Sequence, residues 1–190
     1  IAELRKAGRA IDAVHAQVPQ LLQAGRTEAE VAHELEKLIL REHSVIDFVI
    51  VGSGPNGANP HHSFSDRVLA EGEPVVVDIG GTLPSGYHSD CTRTYVVGGD
   101  ISTAPQDFQD AYAVLADAQA AARAAAHPGS TAADIDAITR QAISAAGWGD
   151  YFVHRTGHGI GLSTHEEPFI MEGNDPVSYT HLRAHETRHD

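Results

Sequence analysis

Two β-branched runs joined by a short polar turn constrain this chain more than any other stretch. Val75-Val76-Val77-Asp78-Ile79 follows Pro74, and the run from Tyr87 to Val97 follows Pro84-Ser85-Gly86. Runs rich in Val, Thr and Tyr and bounded by Pro and Gly read as strands, and so short a link makes them the antiparallel arms of one hairpin. Each arm carries a carboxylate. Asp78 directly follows three valines, and Asp90 heads Cys91-Thr92-Arg93-Thr94-Tyr95-Val96-Val97.

Helical signals surround the hairpin. Leu4, Ile11, Val14, Val18 and Leu21 recur at helical spacing through residue 24, with Pro19 as a kink or boundary and Gly25 as the stop. Thr27 to Glu30 reads as a capping box ahead of Val31, Leu35 and Leu38. Phe48 to Val51 reads as a strand and Gly52 to Pro60 as a loop. Beyond the hairpin, residues 106 to 126 are Ala-rich and helical, Pro128-Gly129 breaks them, and Thr131 to Asp134 caps a helix ending near Gly147. Tyr151 to His154 is predicted as a strand that runs into Gly157-His158-Gly159-Ile160-Gly161.

The order of elements repeats. At a constant offset of 104, Gly25 matches Gly129, Thr27 matches Thr131, Val31 matches Ile135, Ile39 matches Ile143, Phe48 matches Phe152 and Val49 matches Val153. Two half-domains follow, unless two capped helices coincide by chance. The first copy is followed by the hairpin with Asp78 and Asp90, so a second acidic hairpin is expected after about residue 175. The residues standing there, Pro176 to Asp190, show no strand alternation.

Composition excludes several functions. With 26 acidic against 13 basic residues the net charge is -13, which speaks against nucleic acid and anionic membranes as partners. The 190 residues, 42% of them apolar, suffice for one domain with a hydrophobic core. A single cysteine, Cys91, permits no intramolecular disulfide. With no bilayer-length apolar run and no signal-peptide pattern, a cytoplasmic location is expected. Ile1 already lies inside a helical pattern, so a segment upstream of it is expected.

Carboxylates on valine-rich strands are costly to desolvate, and two side by side repel; a cation resolves both costs. The alternative is that Asp78 forms a turn before Gly80-Gly81 while Asp90 is a solvated strand end or a partner of Arg93. His158 lies between two glycines, where backbone or ligand can approach closely, and imidazole is a common transition-metal ligand. His165 follows it, trailed by Glu166, Glu167 and Pro168, and His61-His62 follow Asn59-Pro60. Singly, such histidines are usually structural or solvated.

Taken in order, these segments resemble a known family. Asn56-Gly57-Ala58-Asn59-Pro60-His61, Val77-Asp78-Ile79-Gly80-Gly81 with Ser89-Asp90-Cys91-Thr92-Arg93-Thr94, Thr156-Gly157-His158-Gly159-Ile160-Gly161, and His165-Glu166-Glu167-Pro168 are similar to the successive signatures of the pita-bread metallopeptidases. That family includes methionine aminopeptidase, aminopeptidase P and prolidase, and the Ser-Asp-Cys-Thr-Arg-Thr and Pro-His-His stretches look most like the Xaa-Pro peptidases, a Xaa-Pro aminopeptidase above all.

The resemblance implies an α/β pita-bread fold over residues 1–175, with two pseudo-symmetric helix-pair and β-hairpin halves, the second incomplete. It implies two divalent ions, manganese, cobalt or zinc, with Asp78, Asp90 and His158 as ligands. His61 and His165 would flank the peptide substrate and the tetrahedral intermediate. Two further ligands in the family are glutamates on later strands, and neither Glu166 nor Glu167 stands at those positions. These 190 residues are therefore expected to bind metal poorly and to be inactive. A homodimer is the assembly that the resemblance suggests.

Residues 176–190 read as a non-native tail, resembling a frame through sequencing-adapter DNA. His181, His185 and His189, spaced by four, have the alternative reading of a metal site on one helical face. The expected activity is metal-dependent release of an N-terminal residue ahead of proline. Its rivals are a methionine aminopeptidase or prolidase, and a non-catalytic peptide-binding module of the same fold.

Overall fold

The computed structural model describes residues 1–175 and divides into two compact units, Ile1–Gln106 together with Gly161–Thr164, and Asp107–Ile160 together with the chain from His165. The first unit opens with helix α1 (Ala2–His15), which buries Ala7, Ala10, Ile11 and Val14. Pro19 stands in the first turn of a separate short helix, α2 (Val18–Leu21), where its missing N–H costs no hydrogen bond. Gly25, at φ +91°, then reverses the chain. Helix α3 (Glu28–Ile39) starts on a complete capping box: Glu30 N–H donates to Thr27 Oγ1, and Thr27 N–H donates to Glu30 Oε2.

Strands β1 (Val45–Ser53), β2 (Pro74–Thr82) and β3 (His88–Val96) form an antiparallel sheet in that order, so the predicted hairpin is present. Its register places Val51 opposite Val77 and Ile79 opposite Cys91. The face bearing Val49, Val51, Val75, Val77, Ile79 and Cys91 packs with Val31, Leu35 and Ile39 of α3 and Val14 of α1 in one apolar core. The first strand is longer than Phe48 to Val51. It takes in Gly52 and Ser53, expected in a loop, because both pair with β2 and the Ser53 N–H is held by a buried carboxylate.

That carboxylate is Glu28, at the first position of α3 and 0% exposed. It accepts from Ser53 N–H (2.7 Å), Ser53 Oγ (2.6 Å), Ser65 N–H (2.9 Å), Ser65 Oγ (2.7 Å), Asn56 Nδ2 (3.0 Å) and His62 Nε2 (2.8 Å). Burial alone would push its pKa up; the donors of Ser53, His62 and Ser65 outweigh burial and hold it at about 2. The result is a clamp that ties α3, the end of β1 and the loop up to Ser65 at one point.

In the second unit, helix α4 (Gln106–Ala125) is followed by Gly129 at φ +101° and helix α5 (Ala132–Ala145), capped by a second complete capping box between Thr131 and Asp134. Short strands β4 (Gly157–Gly159) and β5 (Glu166–Ile170) pair antiparallel. The strand expected over Tyr151 to His154 does not form. Gly149–Tyr151 is a 3₁₀ turn, Tyr151 and Val153 are 76% and 79% exposed, and Arg140 takes the carbonyls that a ladder would need: Nη1 donates to Phe152 O and Nη2 to His154 O.

The internal repeat therefore holds across the helices and ends before the strand. Gly25 and Gly129 share positive φ, Thr27 and Thr131 share the cap, and Val31 and Ile135, like Ile39 and Ile143, are buried. Ala29 N–H donates to Ser65 O, and its counterpart Ala133 N–H donates to Asn174 O. The second hairpin, the suspected tail at 176–190 and the His181, His185, His189 triplet lie outside the described residues.

Two outcomes test this reading. A Cβ at Gly80 would lie 2.5 Å from both Phe48 Cε1 and the Ser89 carbonyl oxygen, so Gly80→Ala is expected to destabilise the chain by about 1–3 kcal/mol in a urea titration. Glu28 has its folded pKa depressed below the ordinary 4.5, so its stabilisation is complete above that value and is lost as pH falls toward 2. The stability gap between the native chain and Glu28→Gln should narrow by on the order of 3 kcal/mol between pH 5 and pH 2. A gap independent of pH would show that the anchor is not an ionised carboxylate.

Candidate active site

Alternation along the sheet puts Asp78 and Asp90 on the face opposite the core. Gly80 pairs with Asp90 and Asp78 pairs with Thr92, which makes the two aspartates diagonal neighbours across β2 and β3. Such positions are roughly 7–8 Å apart at the backbone, close enough for two carboxylates to converge on a cation. Both are half-buried, with Ile50 opposite Asp78 and Phe48 opposite Gly80 on β1. Thr92 Oγ1 donates to Asp78 Oδ1 at 2.6 Å and fixes that carboxylate's orientation. Asp78 is thus a mid-strand residue, not a turn former, and Gly80-Gly81 continue the strand.

His43 stands behind this pair. Its Nδ1 lies 3.1 Å from Ile39 O, so that nitrogen carries the hydrogen, and Nε2 accepts from Ser89 Oγ at 2.9 Å. Burial pushes its pKa down and keeps the ring neutral. Ser89 also receives the Gly81 N–H, so this contact stiffens the backbone immediately before Asp90. The histidine pair at 61–62 divides its tasks: His62 is bound to Glu28, while His61 is exposed on the following turn, its N–H donating to Asn59 Oδ1.

In the second unit His158 sits on β4 opposite Phe169, and its ring centroid is 4.3 Å from that of His165. His158 Nδ1 lies 2.9 Å from the Gly159 carbonyl oxygen. A carbonyl can only accept, so Nδ1 bears a hydrogen, the arrangement in which a metal-ligating histidine binds through Nε2. The approach to His158 is held by α5. Buried Asp136 accepts from Arg140 Nε and Nη2 and from Thr156 Oγ1 at 2.6 Å. Burial would raise the Asp136 pKa, but the donors of Arg140 and Thr156 outweigh it and hold the carboxyl below its ordinary range.

Asp78, Asp90 and His61 therefore belong to the first unit and His158 and His165 to the second. Carboxylates on one sheet face of the first unit and imidazoles in the second are donor types that borderline or hard divalent ions accept. Thiolate is not among them. Cys91 points into the core, and burial pushes its thiol up to about 11.

Glu28, His43 and Asp136 were not singled out from sequence. Only Asp136 had a local signal, an arginine four residues ahead on the same helix face.

Residues 2–187 match metallopeptidase family M24. The chain is 58% identical over 175 residues to the protein named "Probable dipeptidase PepE" of Mycobacterium tuberculosis (strain ATCC 25618 / H37Rv), covering 92% of this chain and 46% of that protein. Among solved structures it is similar to dipeptidase PepE from Mycobacterium ulcerans, with 55% identity, a TM-score of 0.86 and coverage of 91% of this chain and 46% of that one. Prolidase from Pyrococcus furiosus is similar at 36% identity and a TM-score of 0.84, over 91% of this chain and 50% of that one. The chain spans about half the length of the curated relatives it matches. The mixed α/β fold is the pita-bread fold expected from the motifs. By family match and fold alike, the chain belongs to metallopeptidase family M24.

Proposed function

We propose that residues 1–175 belong to the catalytic domain of a metal-dependent peptidase that releases the N-terminal residue of a peptide ahead of proline. The observation that carries the proposal is the placement of Asp78 and Asp90 as diagonal neighbours on one face of the β2–β3 hairpin, with Thr92 orienting Asp78. Asp78, Asp90 and His158 Nε2 would hold the metal, manganese, cobalt or zinc, as a pair of ions.

When bound, such ions supply Lewis acidity that lowers the pKa of a water and polarises the scissile carbonyl. The protein's own groups do the rest. His61, exposed on its turn, and His165, beside His158, would donate hydrogen bonds to the carbonyl oxygen as negative charge develops and would orient the peptide. The Glu28 clamp keeps the loop before His61 in place, and the Asp136–Arg140–Thr156 set does the same for the approach to His158.

Two relatives named above are dipeptidases and one is a prolidase. Xaa-Pro dipeptides are therefore the first competing substrates to longer Xaa-Pro-Yaa peptides. Among the described residues no helix is long and apolar enough to cross a membrane, in keeping with a peptide partner met in water.

The test uses the complete gene product, freed of metal and then reloaded with manganese, cobalt or zinc. Xaa-Pro-Yaa cleavage is expected, and Asp90→Ala should abolish metal-dependent turnover. Unchanged turnover in that variant would refute the ligand assignment. Cleavage of Met-Ala peptides alone would make the protein a methionine aminopeptidase, cleavage of Xaa-Pro dipeptides alone a prolidase, and metal uptake without cleavage of any peptide a binding module.

A further inference from the structure

The mechanism above leaves one mostly buried carboxylate–imidazole contact unused. Between Ile46 and Phe48 the β1–β2 register shifts, and Asp47 drops out of the ladder. Its carboxylate turns to the end of the hairpin: Oδ1 accepts from Thr82 Oγ1 at 2.7 Å, and Oδ2 lies 2.7 Å from His88 Nδ1. Since a carboxylate only accepts, His88 Nδ1 carries the hydrogen. The side chains of His88 and Asp47 are 18% and 15% exposed, so water competes little for this hydrogen bond.

The same histidine holds a distant piece of chain. Thr164 Oγ1 lies 3.1 Å from His88 Nδ1 and accepts a second, longer branch of the same hydrogen, while the backbone N–H of residue 88 donates to the Gly161 carbonyl at 2.9 Å. Gly161 N–H donates in turn to Ser163 O at 3.1 Å, which closes residues 161–164 into a turn of their own. This turn belongs to the first unit although the chain on both sides of it belongs to the second. It is bounded in sequence by His158, three residues before Gly161, and His165, directly after Thr164.

We propose that Asp47 and His88 form a latch that fixes the 161–164 turn on the end of the hairpin and thereby sets the backbone from which His158 and His165 act. Both are positioning residues, working through Thr164 and Gly161 rather than by touching substrate. That the latched turn serves a metal and substrate site rests on the reading under Proposed function. The latch itself does not.

The experiment compares His88→Ala, His88→Asn and Asp47→Asn in the complete gene product. Asparagine places an N–H donor close to where His88 Nδ1 stands and lacks any counterpart of Nε2, so it preserves the latch alone. In His88→Ala and Asp47→Asn, hydrogen exchange at the Gly161 and residue-88 amides is expected to accelerate about tenfold while the Val75 and Val77 amides stay unchanged. Zinc, titrated as the metal alone, should bind about tenfold more weakly in both. His88→Asn should restore both readings.

Native exchange rates at Gly161 in His88→Ala would overturn the latch. So would faster exchange with unaltered zinc affinity, or a His88→Asn variant as impaired as His88→Ala, which would place the function on Nε2. Should the native protein take up no zinc, the metal reading under Proposed function fails on its own, and the exchange rates still decide whether the latch exists.

Discussion

Everything proposed for this chain depends on the two-residue period of the β2–β3 hairpin. Val75, Val77 and Ile79 face the core, so Asp78 must face away from it, and the register that sets Gly80 opposite Asp90 brings the second carboxylate to the same face. A slip of one residue would exchange the faces, burying both aspartates among Val31, Leu35 and Ile39 and exposing the valines. The apolar face thus enforces the position of the acidic one. Core packing and site geometry are two results of a single alternation, and the hydrophobic energy of the core holds two mutually repelling carboxylates near each other before any cation arrives.

The remaining motifs reach their places through buried polar groups. Glu28 gathers Ser53, Ser65 and His62, His43 meets Ser89, and Asp136 meets Arg140 and Thr156. An unsatisfied polar atom in the interior is costly, which is why such groups select one conformation of the loop that satisfies them. Among the described residues no buried side-chain nitrogen or oxygen lacks a hydrogen-bond partner. Each of these anchors meets a partner within a few residues of a motif residue but is not itself part of those motifs. The acidic pair and the histidines are held by groups whose chemistry is structural.

That division explains what could be read from the sequence. The hairpin, the capping box at Thr27, the cap at Thr131, the boundary near Pro19 and the helix of residues 106 to 126 follow from local periodicity and turn chemistry, and all are present. The anchors escaped because their partners are remote: Glu28 meets Ser53 across 25 positions and His43 meets Ser89 across 46. No local pattern announces that a glutamate in the first turn of a helix will be buried rather than solvated. The Tyr151 to His154 strand failed for the converse reason. Its residue types suit a strand, but Arg140 binds its carbonyls and stacks over Phe152 at 4.5 Å, a tertiary contact that overrides propensity.

The internal repeat shows how two similar halves come to serve different motifs. Offset by 104, Glu28 of α3 corresponds to Ala132 of α5, and Ala32 corresponds to Asp136; all four are buried. Each helix thus carries one buried carboxylate and one alanine, four residues apart on the same face, with their order exchanged. At the first position of α3 the carboxylate meets the chain that leads to His61. One turn further along α5 it meets Arg140 and Thr156 on the approach to His158. Cap, glycine and apolar stripe are common to both copies because they make the helix. The acidic residue moves by one turn because the chain it must anchor differs, and at this point the two halves cease to be copies.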